Sequence, residues 1–171
     1  MNVGLPLAAL AALVACGPHA LAQTWPAGSE ITGTVAEVVS GDTLIVAEGA
    51  RQVTVRLADI VAPQGSEYYA PGARALLSGM VQGKEVSVNV TGSAAPDSVF
   101  GRVVMNKLDV NLEMVKRGAA YVCWDYPVDT YFAPWEIQAQ RIRIGVWNAT
   151  WDINARTRCR QRPPVELAPK S

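Results

Sequence analysis

Residues 31–58 read ITGTVAEVVSGDTLIVAEGARQVTVRLA, and this stretch decides the fold. β-Branched residues recur along it in partial alternation, and turn residues interrupt it at 40–42 (Ser-Gly-Asp) and 48–50 (Glu-Gly-Ala). Alternation with turns at this spacing predicts three consecutive strands, over 31–39, 43–47 and 52–58. Val53, Val55 and Leu57 fall on one face of the third strand and are candidate core residues.

The segments that follow complete a small mixed domain. Pro71 begins a predicted helix that ends near Gly83, and strands are predicted at 85–90 and from 102 to 105, with a loop over 91–98 between them. Two more helices are predicted over 110–117 and 134–143, each followed by a glycine. Five short strands with a helix after the third are typical of an OB-type barrel. We therefore expect an α+β fold, mainly β, with about three helices.

The amino-terminal residues are predicted to be a targeting segment. Residues 3–15 are almost entirely Ala, Leu and Val, and no charged residue precedes Glu30. This apolar run is shorter than the roughly 20 residues of a membrane span, and it fits a secretory signal over residues 1–22. Alternatively, residues 13–16 (Leu-Val-Ala-Cys) resemble a lipobox, in which Cys16 would be lipidated and anchored at a bacterial membrane. We expect a periplasmic or secreted monomer with no transmembrane span in the mature chain.

Composition limits the chemistry of the mature chain. The 171 residues include 15 basic and 15 acidic ones, so the net charge gives no argument for bulk attraction to nucleic acid. The single histidine, His19, lies in the predicted leader, which excludes Ser-His-Asp, Cys-His and His-zinc mechanisms after cleavage at Ala22. Cys123 and Cys159 remain, and in an exported chain they are expected to form a disulfide. Two buried free thiols are the alternative.

Positive charge collects towards the carboxyl end. Residues 133–171 contain seven Lys or Arg and three Asp or Glu, a net charge of +4. We expect residues 31–150 to form the folded domain and residues 151–171 a basic tail tethered by Cys159. The alternating arginines of residues 156–162 would then be either a phosphate-contacting strip or a solvated surface.

Three motifs carry a family resemblance: residues 40–44 (Ser-Gly-Asp-Thr-Leu), 56–64 (Arg-Leu-Ala-Asp-Ile-Val-Ala-Pro-Gln) and 100–102 (Phe-Gly-Arg). In this order and spacing they resemble the thermonuclease family, the staphylococcal nuclease-like OB-fold phosphodiesterases. The resemblance spans about residues 31–147. It implies calcium-dependent hydrolysis of nucleic acid, in which the metal orients a water, two arginines hold the phosphate and a carboxylate accepts the proton.

The matched positions retain only part of that machinery. The resemblance places Asp42 as the first metal carboxylate and Arg56 and Arg102 as the phosphate-binding arginines. Val61 stands where a second calcium-binding Asp is expected, and Gln64 where the general-base Glu is expected. Because loss of a general base typically costs ~10²–10⁴-fold in rate, we expect impaired or absent hydrolysis. Calcium binding is expected to be weak or absent, and binding of nucleic acid or another anionic polymer to be retained.

Two other carboxylates could compensate for these replacements. Asp59 lies two residues before Val61, so in a continuous strand both side chains would point to one face. Glu67 follows in a loop that could fold back towards Asp42. Either carboxylate could rebuild a metal site with Asp42, and this second hypothesis is an active calcium-dependent nuclease.

Two aromatic residues complete the candidate site. Trp124 and Tyr126 fall where the family has aromatic side chains beside the bound nucleotide, and we expect them to stack on bases. A third hypothesis is a non-catalytic envelope or polysaccharide-related accessory protein, whose groove would serve a different polymer or a protein partner.

Overall fold

The barrel begins with a three-stranded antiparallel meander. In the computed structural model, which describes residues 24–124, 128–148 and 157–159, tight turns join β1 (Glu30–Ser40), β2 (Thr43–Glu48) and β3 (Arg51–Leu57). The first turn requires Gly41, because a Cβ atom there would lie 2.6 Å from the Cβ of Ala73 and 2.7 Å from that of Ala62. This turn is therefore held close to the helix and the loop that follow β3.

Two more long strands close the barrel. After the two-residue strand β4 (Ile60–Val61), β5 (Glu85–Ala95) pairs antiparallel with β1, and β6 (Ser98–Met105) pairs antiparallel with β5 and parallel with β3. The long strands thus form a closed five-stranded barrel, which confirms the predicted OB-type, mainly β fold. Val53, Val55 and Leu57 are fully buried inside it, as their alternation predicted.

Helices cover the barrel. The helix α1 (Ala70–Val81) packs Ala73, Leu77 and Val81 inwards. The strand β7 (Leu108–Asp109) leads into α2 (Val110–Lys116), and β8 (Tyr121–Val122), which pairs antiparallel with β4, is followed by α3 (Ala133–Arg141). Single 3₁₀ turns occupy Thr130–Phe132 and Gly145–Asn148. All three predicted helices are present, and each end lies within two residues of its predicted position.

The predicted loop over residues 91–98 is wrong. The strand β5 continues to Ala95 and β6 begins at Ser98, so only Pro96 and Asp97 form the turn. Gly92 pairs with Phe100 across this hairpin, and shifts in register interrupt the pairing on either side. Much of the hairpin arm is exposed and carries no alternation of apolar side chains, so its strand character rests on backbone hydrogen bonds that the sequence pattern does not reveal.

The edge of β1 is capped by side chains rather than by another strand. Pairing with β5 ends at Thr34. Beyond it, the Gln82 amide donates to the carbonyl of Ala36 at 2.8 Å and accepts from the N–H of Val38 at 3.1 Å, while Arg74 Nε donates to the carbonyl of Val38 at 2.9 Å. These contacts border a groove of about 650 Å³ between β1 and α1.

A disulfide joins Cys123 to Cys159, which confirms the predicted pairing. It holds the short segment 157–159 beside β8. The predicted leader with Cys16, the aromatic Tyr126 and the remainder of the basic tail lie outside the described residues. In the described part of the chain, no helix has the length and apolar character needed to cross a membrane.

Candidate anion-binding site

Asp42 is the buried centre of the site. The turn between β1 and β2 places its carboxylate inside the protein, with no exposed surface. The carboxylate accepts hydrogen bonds from Ser40 Oγ (2.8 Å), Thr43 Oγ1 (3.0 Å), the N–H of Ala62 (3.0 Å) and Gln64 Nε2 (3.0 Å). Four neutral donors of the protein therefore contact this buried carboxylate, and hydrogen bonds of this kind stabilise a carboxylate away from water.

Gln64 links two carboxylates. Its side-chain amide donates to Oδ1 of Asp42, and its backbone N–H donates to Oε2 of Glu67 at 2.7 Å. The amide nitrogen must face Asp42, because the carboxylate oxygens only accept hydrogen bonds. At the position where the resemblance leads one to expect a general base, the structure therefore has the Gln64 amide, whose N–H already donates to Asp42. Asp42, Gln64 and Glu67 are called the carboxylate pocket below.

Val61 is buried among apolar side chains. It pairs with Tyr121 across β4 and β8, and only 1% of its surface is exposed. It packs in a small apolar cluster with Tyr121, Cys123, Val146 and Cys159. These five residues are called the disulfide cluster, and they place apolar atoms where the resemblance leads one to expect a metal ligand.

Asp59 does not share a strand face with Val61, so that expectation is wrong. Asp59 lies in the turn between β3 and β4 with a left-handed φ of 66°, which interrupts the alternation of side chains. The backbone carbonyl of Asp59 accepts from the N–H of Cys123 at 2.8 Å. The strand geometry on which a relocated Asp59 ligand depended is therefore absent.

Glu67 is paired with a residue that the sequence analysis did not assign to the site. The guanidinium of Arg158 contacts both of its carboxylate oxygens, with Nη2 at 2.8 Å from Oε2, and Nη2 also lies 2.8 Å from the carbonyl of Ala62. The hydrogen bond from Arg158 lowers the pKa of Glu67; burial and the charge of Asp42 act in the opposite direction without cancelling it. Glu67 is therefore an engaged, ionised carboxylate.

The residues of the pocket do not fit a calcium ion. Calcium takes about six to eight oxygen ligands. Among the described residues no group of three or more His, Cys, Asp or Glu side chains could hold a metal. The oxygens of Asp42 and Glu67 accept from the donors already named, and Val61 supplies none.

The predicted arginines lie together on the outer face of the barrel. Arg56 is in register with Phe100 across the parallel pair β3 and β6, and Arg102 follows on the same face, two residues after Phe100. Strand spacing and rise put the Cα atoms of Arg56 and Arg102 roughly 8 Å apart. The Cζ atom of Arg56 lies 5.5 Å from the centre of the Phe100 ring. Arg56, Phe100 and Arg102 are called the arginine face.

Arg102 is fixed by charge and by aromatic rings. Its Nε donates to Asp109 at 2.9 Å and its Nη1 to Asp129 at 3.5 Å, while its Cζ lies within 5.4 Å of the ring centres of Tyr131 and Phe132. Burial lowers the pKa of Arg102, but the two carboxylates outweigh burial and raise it above the usual value. The charge of Arg102 is therefore permanent.

Trp124 is exposed and held in place. Its indole N–H donates to the buried carboxylate of Glu136 at 2.6 Å, and Glu136 also accepts from the N–H of Val122 at 2.9 Å. Trp124 is 41% exposed to solvent. An exposed aromatic ring is what stacking on a base requires. Neither Glu136 nor the exposed Tyr131 was singled out from the sequence, because their roles depend on contacts with side chains distant along the chain.

Comparison with known proteins gives a family match over residues 54–149, to the family described as staphylococcal nuclease homologue. The match includes Arg56, Gln64 and Arg102, whereas Asp42 lies before it.

Individual proteins are similar over much of the chain. A Haemophilus influenzae protein named uncharacterized endonuclease is 32% identical over 117 residues, which cover 68% of this chain and 66% of that protein. Protein ParB of Escherichia coli is 31% identical over 155 residues, covering 82% of this chain and 81% of that protein. The micrococcal nuclease of Shigella flexneri is 29% identical over 153 residues, covering 83% and 87%.

Proposed function

Because this chain belongs to the staphylococcal nuclease family, we propose that it binds nucleic acid or another anionic polymer and hydrolyses phosphodiesters poorly or not at all. The proposed binding surface is the arginine face, and Trp124 is the proposed stacking residue. Export is part of the proposal: residues 1–22 act as a secretory signal, or a lipobox leaves the chain anchored through Cys16.

The amide of Gln64 is the observation that carries the argument about hydrolysis. By resemblance it lies at the general-base position, yet its nitrogen donates to Asp42. A neutral amide cannot accept a proton from an attacking water. Loss of a general base lowers a rate by ~10²–10⁴-fold, and a pocket whose described residues do not fit calcium would lower it further.

The arginine face supports binding. Guanidinium groups donate two parallel hydrogen bonds to phosphate oxygens, so a pair of them on one face suits a polyanion. Phe100 lies beneath Arg56, and the ring contacts and carboxylates around Arg102 limit its rotamers. Less conformational entropy is then lost when a ligand binds. Trp124 offers a ring on which a base can stack, worth ~1–3 kcal/mol.

Anisotropy of a labelled oligonucleotide tests the binding proposal. We expect Arg56→Gln to weaken binding by about tenfold and to reduce the salt slope by about one. Arg51→Gln is the matched control, because Arg51 is an exposed arginine at the other end of β3, and its affinity should stay within about twofold of the wild type. Equal losses in both variants would show that binding is non-specific and would overturn the assignment of the arginine face.

A cleavage assay tests the proposal about hydrolysis. Single-stranded and plasmid substrates are incubated with the purified mature protein in calcium chloride or in EDTA. We expect no calcium-dependent products above those of an Asp42→Ala variant. Rapid calcium-dependent cleavage that is lost in Asp42→Ala would favour the active nuclease instead, and Glu67→Gln would then show whether Glu67 takes part.

A further inference from the structure

The disulfide carries Arg158 into the carboxylate pocket. The next residue, Cys159, is bonded to Cys123 and buried in the disulfide cluster. Cys123 is itself held to the turn at Asp59 by a backbone hydrogen bond of 2.8 Å. A guanidinium 91 residues from Glu67 in sequence is thereby fixed beside it.

Arg158 and Asp42 both contact the backbone of Ala62. Nη2 of Arg158 donates to the carbonyl of Ala62, while the N–H of Ala62 donates to Oδ2 of Asp42. Gln64 makes the corresponding contacts with both carboxylates, through its side chain to Asp42 and its backbone to Glu67. Residues 62–64 therefore contact both carboxylates, and the guanidinium of Arg158 contacts Ala62 and Glu67.

This arrangement creates a need for positive charge. Two partly or fully buried carboxylates repel one another and repel an approaching polyanion. The described residues offer no cluster that would hold a divalent ion. Arg158 supplies the charge instead, through a planar fork that matches a carboxylate, and its side chain is only 21% exposed.

We propose that Arg158 is the resident cation of the carboxylate pocket: tethered by the Cys123–Cys159 disulfide, its guanidinium neutralises Glu67 and offsets one of the two negative charges of the Asp42–Glu67 pair, so anion binding on the arginine face depends on the disulfide and on no metal. The second half of this statement rests on the proposed function. The first half, the neutralisation of Glu67, is independent of any ligand.

Oligonucleotide binding in EDTA tests the second half. We expect Arg158→Gln to bind about fivefold or more weakly than the wild type, and Glu67→Gln/Arg158→Gln to return to within about twofold, because the double variant removes the negative charge that Arg158 neutralised. Cys123→Ala/Cys159→Ala should lose as much affinity as Arg158→Gln. Arg51→Gln, which removes one positive charge elsewhere, should stay within about twofold.

Thermal unfolding tests the first half without a ligand. We expect Arg158→Gln to lower Tm by about 4–8 °C and the double variant to regain most of that loss. Calcium chloride should leave the Tm of the wild type equal to that in sodium chloride of the same ionic strength.

The two failures are distinguishable. If the wild type binds no oligonucleotide in either EDTA or calcium, the proposed function fails, and the unfolding series alone decides whether Arg158 neutralises Glu67. A saturable rise of the wild-type Tm with calcium concentration would overturn the claim that Arg158 is the resident cation. The same claim fails if Glu67→Gln/Arg158→Gln is no more stable than Arg158→Gln. Unchanged affinity in Arg158→Gln, or in the variant without the disulfide, overturns the claim about binding.

Discussion

The carboxylate pocket and the arginine face adjoin the same strand, β3, yet they use their polar groups in opposite ways. In the pocket, Asp42 and Glu67 accept hydrogen bonds from donors of the protein itself. On the face, Arg56 lies over Phe100 and keeps its charge at the surface of the barrel. The difference teaches that the residues proposed to hold a phosphate and the residues at the positions expected for metal and base lie on different elements of the fold.

The largest expected effect is on the pocket side, in Val61→Asp. A carboxylate in the disulfide cluster would be buried among apolar atoms, and we expect the free energy of unfolding to fall by ~3–5 kcal/mol without any gain of cleavage. Urea unfolding at neutral pH measures this. Val39→Asp is the control, because 45% of Val39 is exposed, and its cost should stay below ~0.5 kcal/mol. If Val61→Asp and Val39→Asp were equally stable, the disulfide cluster would have to rearrange so that the new carboxylate reaches water.

A smaller effect is expected in Gln64→Glu. The change removes a donor to Asp42 and places a second carboxylate against it, which we expect to cost ~2 kcal/mol of unfolding free energy at neutral pH. Gln52→Glu, at an exposed position of β3, is the matched control. A stable Gln64→Glu variant that cleaves nucleic acid in a calcium-dependent way would contradict this account of the carboxylate pocket, since the pocket would then accept a metal.

The pH dependence of stability sharpens the role of Glu67. Because its pKa is lowered in the folded protein, chiefly by Arg158, its ion pair stabilises the fold above the unfolded pKa of about 4.5 and is lost as the pH falls through the lower folded value. Between neutral and acidic pH, the free energy of unfolding should therefore fall by ~1 kcal/mol less in Glu67→Gln than in the wild type. Urea unfolding from neutral pH down to about pH 3.5 measures it, with the exposed Glu85→Gln as control. Identical pH profiles for wild type and Glu67→Gln would contradict the pairing.

The smallest effect is expected on the arginine face, in Arg102→Lys. Lysine keeps the charge but lacks the planar group that lies against Tyr131 and Phe132. We expect oligonucleotide affinity to fall about two- to fivefold, and less than in Arg102→Gln. Anisotropy at fixed salt compares the variants. A lysine variant as weak as the glutamine variant would show that geometry, not charge, governs this face.

The barrel could be predicted because its signals are local. Alternation in β3, the turn residues before Thr43 and the glycine after α2 each act within a few residues, and the register of the barrel places Arg56 and Arg102 on one face once the strands are known. The disulfide was predictable from the number of cysteines together with the predicted export of the chain.

The interior of the pocket could not be predicted in the same way. Arg158 reaches Glu67 only through the closure of a distant disulfide, and its place next to Cys159 was the single signal for it in the sequence. The positive φ of Asp59, which ends β3 before β4 begins, carries no pattern that distinguishes it from a continuing strand. For this reason, the alternation rule wrongly placed the side chains of Asp59 and Val61 on the same face of one strand.

The side-chain cap on β1 has a consequence for how this protein behaves at high concentration. An uncovered strand edge offers N–H and C=O groups to any second chain and is a common starting point for aggregation. Gln82 and Arg74 occupy those groups between Ala36 and Val38. Strand addition at that edge would first have to break these three hydrogen bonds, which raises the free-energy cost of pairing with a second chain there.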